Sequence, residues 1–357
     1  VSGERIVVAM SGGVDSSTAA ALLVDAGYDV VGVTLKLYAE AGAGAGGRCC
    51  GPRDIDDARA TAAALGFPHY VLDETELFRR AVVDEFVSAH AAGRTPNPCV
   101  RCNEKLKFAP LLGFARAVGA ERLATGHYAR LVPAGGAGVD LLRAEDRDKD
   151  QSYFLFGVPT ALLARVLFPL GGRTKAEVRA LAARFALPNA DKPDSQQICF
   201  IPDGDHRGFV EAHGGAGPAG ELRDPEGRSL GRHAGTHRFT VGQRRGVPAA
   251  RDGRRRFVLR IDAGTGDVLV GSRKELERRR LRVEDLRWTT PRPPTRWPLR
   301  SAIQIRHHAA AAPGWVAAPD AGSCTVDLDA PVMGAAPGQA AVFYDGDRVV
   351  GGGWIAS

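Results

Sequence analysis

In the first half of the chain, short apolar runs alternate with longer stretches in which apolar residues recur at helical spacing. Runs over 6–9, 30–35, 69–72 and 122–125 have the length and β-branched content of strands, and segments over 16–26, 53–65, 76–91 and 104–118 have the 3.6-residue periodicity of helices. Strands alternating with helices predict an α/β fold: a parallel sheet with helices on both faces and ligands at the carboxyl ends of the strands. A helical region over 159–187 follows, with 173–186 amphipathic.

Beyond about 203 the pattern shortens to alternating runs punctuated by Gly, Pro and Asp, over 236–241, 257–262, 267–270, 299–305, 324–328, 340–343 and 349–354. This is β-rich texture. Breaks near 203 and 275 divide the chain into a first domain over 1–203, a small central β-domain over 204–275 and a C-terminal barrel-like domain over 276–357. Arginine clusters at 254–256 and 278–280 read as surface joints, and a charge run alone is most often a solvated face.

The first strand runs into Ser11-Gly12-Gly13-Val14-Asp15-Ser16-Ser17 and then an alanine-rich helix. Two glycines let the backbone approach an anion, serine hydroxyls add donors, and the N-terminus of the helix contributes its N–H groups and positive dipole end. The loop lacks the Gly-Lys-Ser/Thr ending of a Walker A sequence. SGGVDSS instead resembles the PP-loop of the ATP pyrophosphatases, which split ATP into AMP and pyrophosphate.

Composition adds bounds. The chain has 357 residues, 44% of them hydrophobic, enough for a substantial core and two or three domains. No apolar stretch approaches the roughly 20 residues of a membrane span, and the chain opens directly on a strand, so a cytoplasmic location is the default expectation. A net charge of +6 with arginine far exceeding lysine suits a phosphate-rich partner. Six cysteines are too few for a disulfide scaffold in a chain of this size, which leaves catalysis, metal binding or burial to explain them.

Three of those cysteines attract chemistry. Residues 95–103 read TPNPCVRCN; two prolines and two asparagines are expected to hold this stretch out of helix until Glu104, leaving Cys102 near a helix N-terminus, where thiolate is favoured. The Cys99-x-x-Cys102 spacing taken alone suits zinc or a redox pair as readily as sulfur transfer. Cys199 follows the polar turn Asp194-Ser-Gln-Gln, so it and Cys102 could be nucleophile and sulfur partner. Cys49-Cys50 ends a Gly/Ala-rich stretch over 39–51 that reads as a mobile loop, with an incidental or regulatory role. Cys324 lies in an alternating strand and reads as core. His127 follows a strand at its carboxyl edge, where function concentrates, whereas His307-His308 read as surface.

SGGVDSS, GRTPNPxxxCNxxxKF, ATGHYAR, DKDQSYFL, DSxxICFI, TVGQRRG, PGQAAVFY and GGGWI occur in this order. In this set the chain resembles the tRNA-specific 2-thiouridylases of the MnmA/TrmU family over essentially its whole length. The resemblance implies a cytoplasmic sulfurtransferase that uses ATP and Mg²⁺ to replace O2 by sulfur at the wobble uridine of the tRNAs for lysine, glutamate and glutamine. It further implies ATP binding by Ala9, Met10, Ser11, Gly12, Gly13, Val14, Asp15, Ser16, Leu35 and Gly126. Contacts to tRNA would come from Asn97, Pro98, Cys99, His127, Lys149, Asp150, Gln151, Arg306, His307 and Gln339. Cys102 would be the nucleophile and Cys199 the persulfide carrier, the two forming an alternate, catalytic disulfide. A cysteine desulfurase or sulfur-relay protein would supply the persulfide.

Many members of that family carry Asp where this chain has Cys99. No metal ligand set follows from the residues, and an iron–sulfur cluster is left open. Two rivals use the same motifs differently. Lysidine and GMP synthetases run PP-loop chemistry with nitrogen nucleophiles and need no paired cysteines. An RNA-binding module could instead hold a structural metal at Cys49, Cys50, Cys99 and Cys102.

Overall fold

A computed structural model describes residues 3–38, 51–136, 138–194, 197–201, 203–250 and 252–356. The glycine-rich stretch over 39–50, with Cys49 and Cys50, lies outside the described residues, as do Ser195 and Gln196.

The first half contributes β1 (Arg5–Ala9), β2 (Asp29–Lys36), β3 (His69–Asp73), β4 (Arg122–Thr125), a hairpin of β5 (Arg130–Pro133) and β6 (Val139–Leu142), and β7 (Val166–Leu167). Five of these form a parallel sheet in the order β3-β2-β1-β4-β7. Ile6, Val7 and Val8 are fully buried, because both faces of β1 are covered. The chain steps outward from β1 to β3, then returns to place β4 on the other side of β1. That reversal opens a crevice beyond the carboxyl ends of β1 and β4.

Helices α1 (Val14–Asp25) and α2 (Pro52–Leu65) match the periodic segments. The segment over 76–91 is α3 (Thr75–Phe78), a wider-wound turn over Arg79–Val83 and α4 (Asp84–Ala91). The region read as entering helix at Glu104 enters it earlier, with α5 (Pro98–Cys102), a second wide turn over Asn103–Lys107 and α6 (Phe108–Ala117). Pro98 is the reason: proline's fixed φ suits the first helical position, where no N–H is needed. Asn97 caps that start, its Oδ1 accepting from Val100 N at 3.3 Å. The helical region over 159–187 holds α7 (Thr160–Leu163) and α8 (Lys175–Arg184), with β7 between them. Thr174 and Glu177 form a capping box at the start of α8.

After α9 (His206–Ala212) come β8 (Gly220–Arg223), β9 (Ser229–His233), β10 (Phe257–Ile261) and β11 (Val268–Gly271), a sheet in the order β10-β11-β8-β9. The strand expected over 236–241 is a single tight turn over Thr236–Arg238 followed by irregular chain. The His237 side chain is drawn inward there, its Nδ1 accepting from Gly217 N at 3.0 Å and its Nε2 lying 2.8 Å from Glu211.

The last unit is a closed six-stranded antiparallel barrel: β12 (Glu277–Trp288), β13 (Leu299–Gln304), β14 (Ala312–Val316), β15 (Cys324–Met333), β16 (Ala340–Asp345) and β17 (Arg348–Ile355), with β12 pairing to β17. The arginine cluster at 278–280, read as a joint, is the exposed start of β12, whose Leu281 and Val283 turn into the barrel. The β5–β6 hairpin leaves the first half and pairs with β17 (Arg348 opposite Leu142), extending the barrel sheet. Val342, Tyr344 and Val349 of the barrel share one apolar cluster with Val7 and Leu123 of the parallel sheet. The parallel sheet and the barrel are therefore packed through a common core.

Candidate active site

A cavity of about 710 Å³ occupies the crevice. Ala9, Met10, Ser11, Gly13, Val14, Asp15, Ser16, Leu35 and Gly126 line one end. Gly12 turns underneath at φ +70°, where an added Cβ would come 2.2 Å from the Asp54 carbonyl oxygen, so only glycine closes this turn. Ser16 Oγ donates to Gly13 O at 3.1 Å and accepts from Ser11 N at 3.1 Å, holding the loop on the first turn of α1. Gly126, after β4, packs directly on the loop: a Cβ there would meet Ser16 N at 2.7 Å. The result is a rigid concave surface of backbone N–H groups at a helix N-terminus, suited to a polyphosphate.

Around this loop stands a charge network that motif reading missed. Lys175 Nζ lies 2.7 Å from both Asp15 Oδ1 and Asp194 Oδ1. Lys149 and Arg179 also reach Asp194, at 2.7 and 3.0 Å. Tyr128 OH donates to Asp15 Oδ1 at 2.8 Å; burial and then this carboxylate raise the Tyr128 phenol far above its usual range. Burial opposes ionisation of Asp194, but hydrogen bonds from Lys149 and Lys175 hold its carboxyl below the ordinary value. Lys192 Nζ donates to Gly12 O at 3.1 Å and pairs with Asp54 and Asp57 at 2.6 and 2.5 Å. Asn189 Nδ2 also donates to Gly12 O, at 3.0 Å. These partners lie some 160 to 180 positions from the loop along the chain.

Pro96, Asn97, Pro98, Cys99, Phe154, His307, His308 and Gln339 also line the cavity, away from the loop, with Lys149 and Gln151 reaching toward the loop through Asp194 and Tyr128. His127 lines the same cavity, its Nδ1 2.6 Å from Thr125 Oγ1 and its ring stacked on Phe108 at 6.0 Å. Burial, and then Lys107, push its imidazole down to about 3, so it is neutral near pH 7. Asp150 is buried, accepting from Arg143, Ser152 and Ala144 N, and lines an adjoining cavity of about 470 Å³ with Arg143, Arg147 and His307. Arg306 is exposed and lines neither cavity.

The cysteines are arranged differently from expectation. Because α5 begins at Pro98, the residue in its first turn is Cys99, which is exposed and faces the cavity. Cys102 lies one turn further in, only 6% exposed, within the apolar cluster that holds Val100 and Leu106. Cys199 is half-buried against the same cluster, and neither it nor Cys102 lines the cavity. Its neighbour Phe200 is socketed among Phe78, Phe86 and Phe209, at ring distances of 5.6, 5.3 and 5.1 Å. Cys324 is a core residue of the barrel, its thiol pushed up to about 12 by burial.

Among the described residues no group of three or more His, Cys, Asp or Glu side chains gathers as a metal site, and no helix is long and apolar enough to cross a membrane.

Comparison with known proteins gives matches along the chain. A family described as tRNA methyl transferase HUP domain matches residues 4–203, a tRNA methyl transferase PRC-barrel domain matches 207–272, and an aminomethyltransferase beta-barrel domain matches 278–355. A tRNA-specific 2-thiouridylase MnmA of Paramagnetospirillum magneticum is 48% identical, covering 99% of this chain and 96% of its own. Proteins of the same name from Acidothermus cellulolyticus and Chloroflexus aggregans are 49% and 47% identical, each over 99% of this chain and 97% and 98% of their own.

Proposed function

The chain belongs to the tRNA-specific 2-thiouridylase family, and from that premise we propose that it replaces O2 of the wobble uridine, U34, by sulfur in the tRNAs for lysine, glutamate and glutamine. The observation that carries this reading is the single cavity with the nucleotide loop at one end and the Asn97–Cys99 segment at the other. It allows a triphosphate and a nucleobase to meet inside one enclosure.

A uridine carbonyl is a poor electrophile with a poor leaving oxygen. In the proposed sequence, O2 attacks the α-phosphorus of ATP, pyrophosphate departs, and the oxygen becomes part of an AMP leaving group. The loop from Ser11 to Ser16 holds the phosphates through backbone N–H groups, and Lys175 and Lys192 stand beside it as cations. Mg²⁺ would arrive on the phosphates, with Asp15 and Asp54 the carboxylates nearest the loop, and supplies charge neutralisation of the leaving pyrophosphate. Neutral His127, stacked on Phe108, offers a flat face beside the base.

Sulfur then enters as nucleophile. A persulfide on Cys199, loaded by a cysteine desulfurase or a sulfur-relay protein, attacks C2 through its terminal sulfur, and AMP leaves. Cys102 thiolate attacks Cys199 Sγ, the C2-bound sulfur departs as the thiocarbonyl of the product, and a Cys102–Cys199 disulfide remains for an external dithiol to reduce. Alternatively, Cys102 attacks Cys199 first and frees hydrosulfide, which then attacks C2. Since both cysteines lie behind the cavity wall in this structure, either route requires the Cys199 segment or α5 to shift. Lys149, Gln151, Arg306 and His307 are proposed to contact the tRNA.

The test is mass spectrometry of nucleosides from unmodified tRNA incubated with protein, ATP, Mg²⁺ and a sulfur source, with nucleotide products measured in parallel. The expected result is 2-thiouridine at position 34 with AMP and pyrophosphate. Release of ADP, or thiolation elsewhere, would overturn the reading.

A further inference from the structure

The segment carrying Cys99 and Cys102 takes its position from the far end of the chain. Thr95 N donates to the Pro337 carbonyl at 2.7 Å. Gln339 Nε2 donates back to the Thr95 carbonyl at 2.9 Å and lies 3.5 Å from the Pro96 carbonyl. Both backbone groups of Thr95 are thus satisfied by the barrel. Pro96 and Pro98 have no N–H to offer, so the segment is poorly equipped to organise itself. Gly338, at φ +90°, sits so close that an added Cβ would come within 3.1 Å of Thr95 N and Thr95 O.

The turn that makes these contacts is itself pinned. Gly338 N donates to Ile355 O and Ile355 N donates to Gln339 O, both at 2.8 Å, which ties the turn to β17. On the neighbouring side, Tyr153 OH donates to Ala340 O at 3.0 Å, and Asn103 Nδ2 donates to Phe154 O at 3.1 Å. The entry to α5 and its exit are therefore both fastened to a frame that includes the barrel.

We propose that Gln339 is a positioning residue for sulfur transfer: by holding the Thr95 and Pro96 carbonyls it sets where α5 begins, and so where Cys99 and Cys102 stand relative to the cavity. The inference rests on the thiolation reading above and gives the barrel a part in the reaction geometry besides any grip on RNA. A side chain that only touched tRNA would alter affinity. One that positions α5 alters the rate once tRNA is saturating, and a misplacement of about 1 Å at such a site can cost on the order of 100-fold.

The experiment uses the full-length protein with Gln339→Glu, which keeps the shape but removes the donor and sets a carboxylate against two carbonyls, and Gln339→Met, which removes polarity alone. Single-turnover thiolation is measured at saturating tRNA, tRNA affinity by filter binding, and alkylation of Cys99 by iodoacetamide through peptide mass spectrometry. Expected are a fall of about 10- to 100-fold in the saturated rate, larger for Glu than for Met, a dissociation constant unchanged within about twofold, and an alkylation rate changed severalfold. A weakened affinity with an unchanged saturated rate would overturn the proposal, as would wild-type values in all three measurements. Alkylation separates the two readings. If the wild-type protein transfers no sulfur but the variants still change Cys99 reactivity, the positioning of α5 stands and the thiolation function falls. Should the wild type thiolate and the variants alter neither saturated rate nor reactivity, the positioning role falls alone.

Discussion

The two ends of the cavity are built on opposite plans. At the nucleotide end, one continuous strand–loop–helix segment makes the surface, and it is stiffened by its own hydrogen bonds, such as Ser16 Oγ to Gly13 O, before any distant residue is added. The cysteine end depends on distant partners to place its helix: Thr95 is bonded to the barrel, Asn103 to Phe154, and Cys199 hangs from a phenylalanine socketed among three others. A phosphate cradle must be in place before ATP arrives, because its donors act only if preorganised. On the proposed reading, sulfur delivery needs a buried thiol to reach a substrate, which is easier from segments held by a few detachable contacts.

This contrast can be broken at its strongest point. Gly12→Ala forces a side chain onto the Asp54 carbonyl at a positive φ and should abolish pyrophosphate release and thiolation together, by about 100-fold or more. Cys102→Ser and Cys199→Ser should each eliminate thiolation yet leave a single turnover of pyrophosphate release intact, since serine can neither carry a persulfide nor close a disulfide. Rapid-quench measurement of both products on the same samples checks this; loss of pyrophosphate release in a cysteine variant would mean the two ends are not separable.

A smaller effect is expected from Lys175→Met, which removes the cation joining Asp15 to Asp194. Pyrophosphate release should slow by about 10- to 100-fold, and thiolation should fall in parallel. If thiolation falls much further than pyrophosphate release, Lys175 belongs to the Cys199 segment through Asp194 rather than to the nucleotide loop.

Acid should act through the buried histidines, one of which supports the cysteine end. His90 packs on Phe86, whose ring meets Phe200 beside Cys199. Burial, and then the neighbouring His206 and His237, lower its imidazole from the usual 6.5 to about 4. The folded form therefore favours the neutral ring. Its stability contribution is complete above pH 6.5 and falls as pH drops and the unfolded chain binds the proton first. The loss is complete below pH 4, amounting to about 3 kcal/mol. Urea denaturation between pH 7.5 and 4.5 should show a slope to which His127, lowered further by burial, also contributes, and His90→Leu should reduce it by the His90 share.

The mildest change is expected at Cys99. Facing the cavity from the first turn of α5, it is placed to tune the site. Cys99→Ser should retain partial thiolation, and Cys99→Asp more, if negative charge near the base is what the position supplies. Complete loss in both variants would make Cys99 essential.

What could be read from the residues followed the same division. The parallel sheet, α1 and the nucleotide loop were legible because their signals are local: apolar runs, helical periodicity and paired glycines all lie within single segments. The barrel class was legible from alternation, but individual strands were not. β12 hid behind its arginines, β7 has two residues, and the run over 236–241 bends where the His237 side chain turns inward to Gly217 N and Glu211, partners 20 and 26 positions away. The start of α5 was misjudged because two prolines were weighed as helix breakers when the second occupies the one helical position that favours it.

Sequence alone determined the family, the α/β and barrel classes and the character of the nucleotide loop, since each depends on residues adjacent along the chain or on motifs in fixed order. Tertiary structure alone decided that Lys175, Asn189 and Lys192 surround that loop, that Cys99 faces the cavity while Cys102 is buried, and that Gln339 holds the cysteine segment. Those contacts join residues as far as 244 positions apart. Their partners are chosen by the packing of whole sheets against one another, and no local periodicity records which side chains that packing will bring within hydrogen-bond reach.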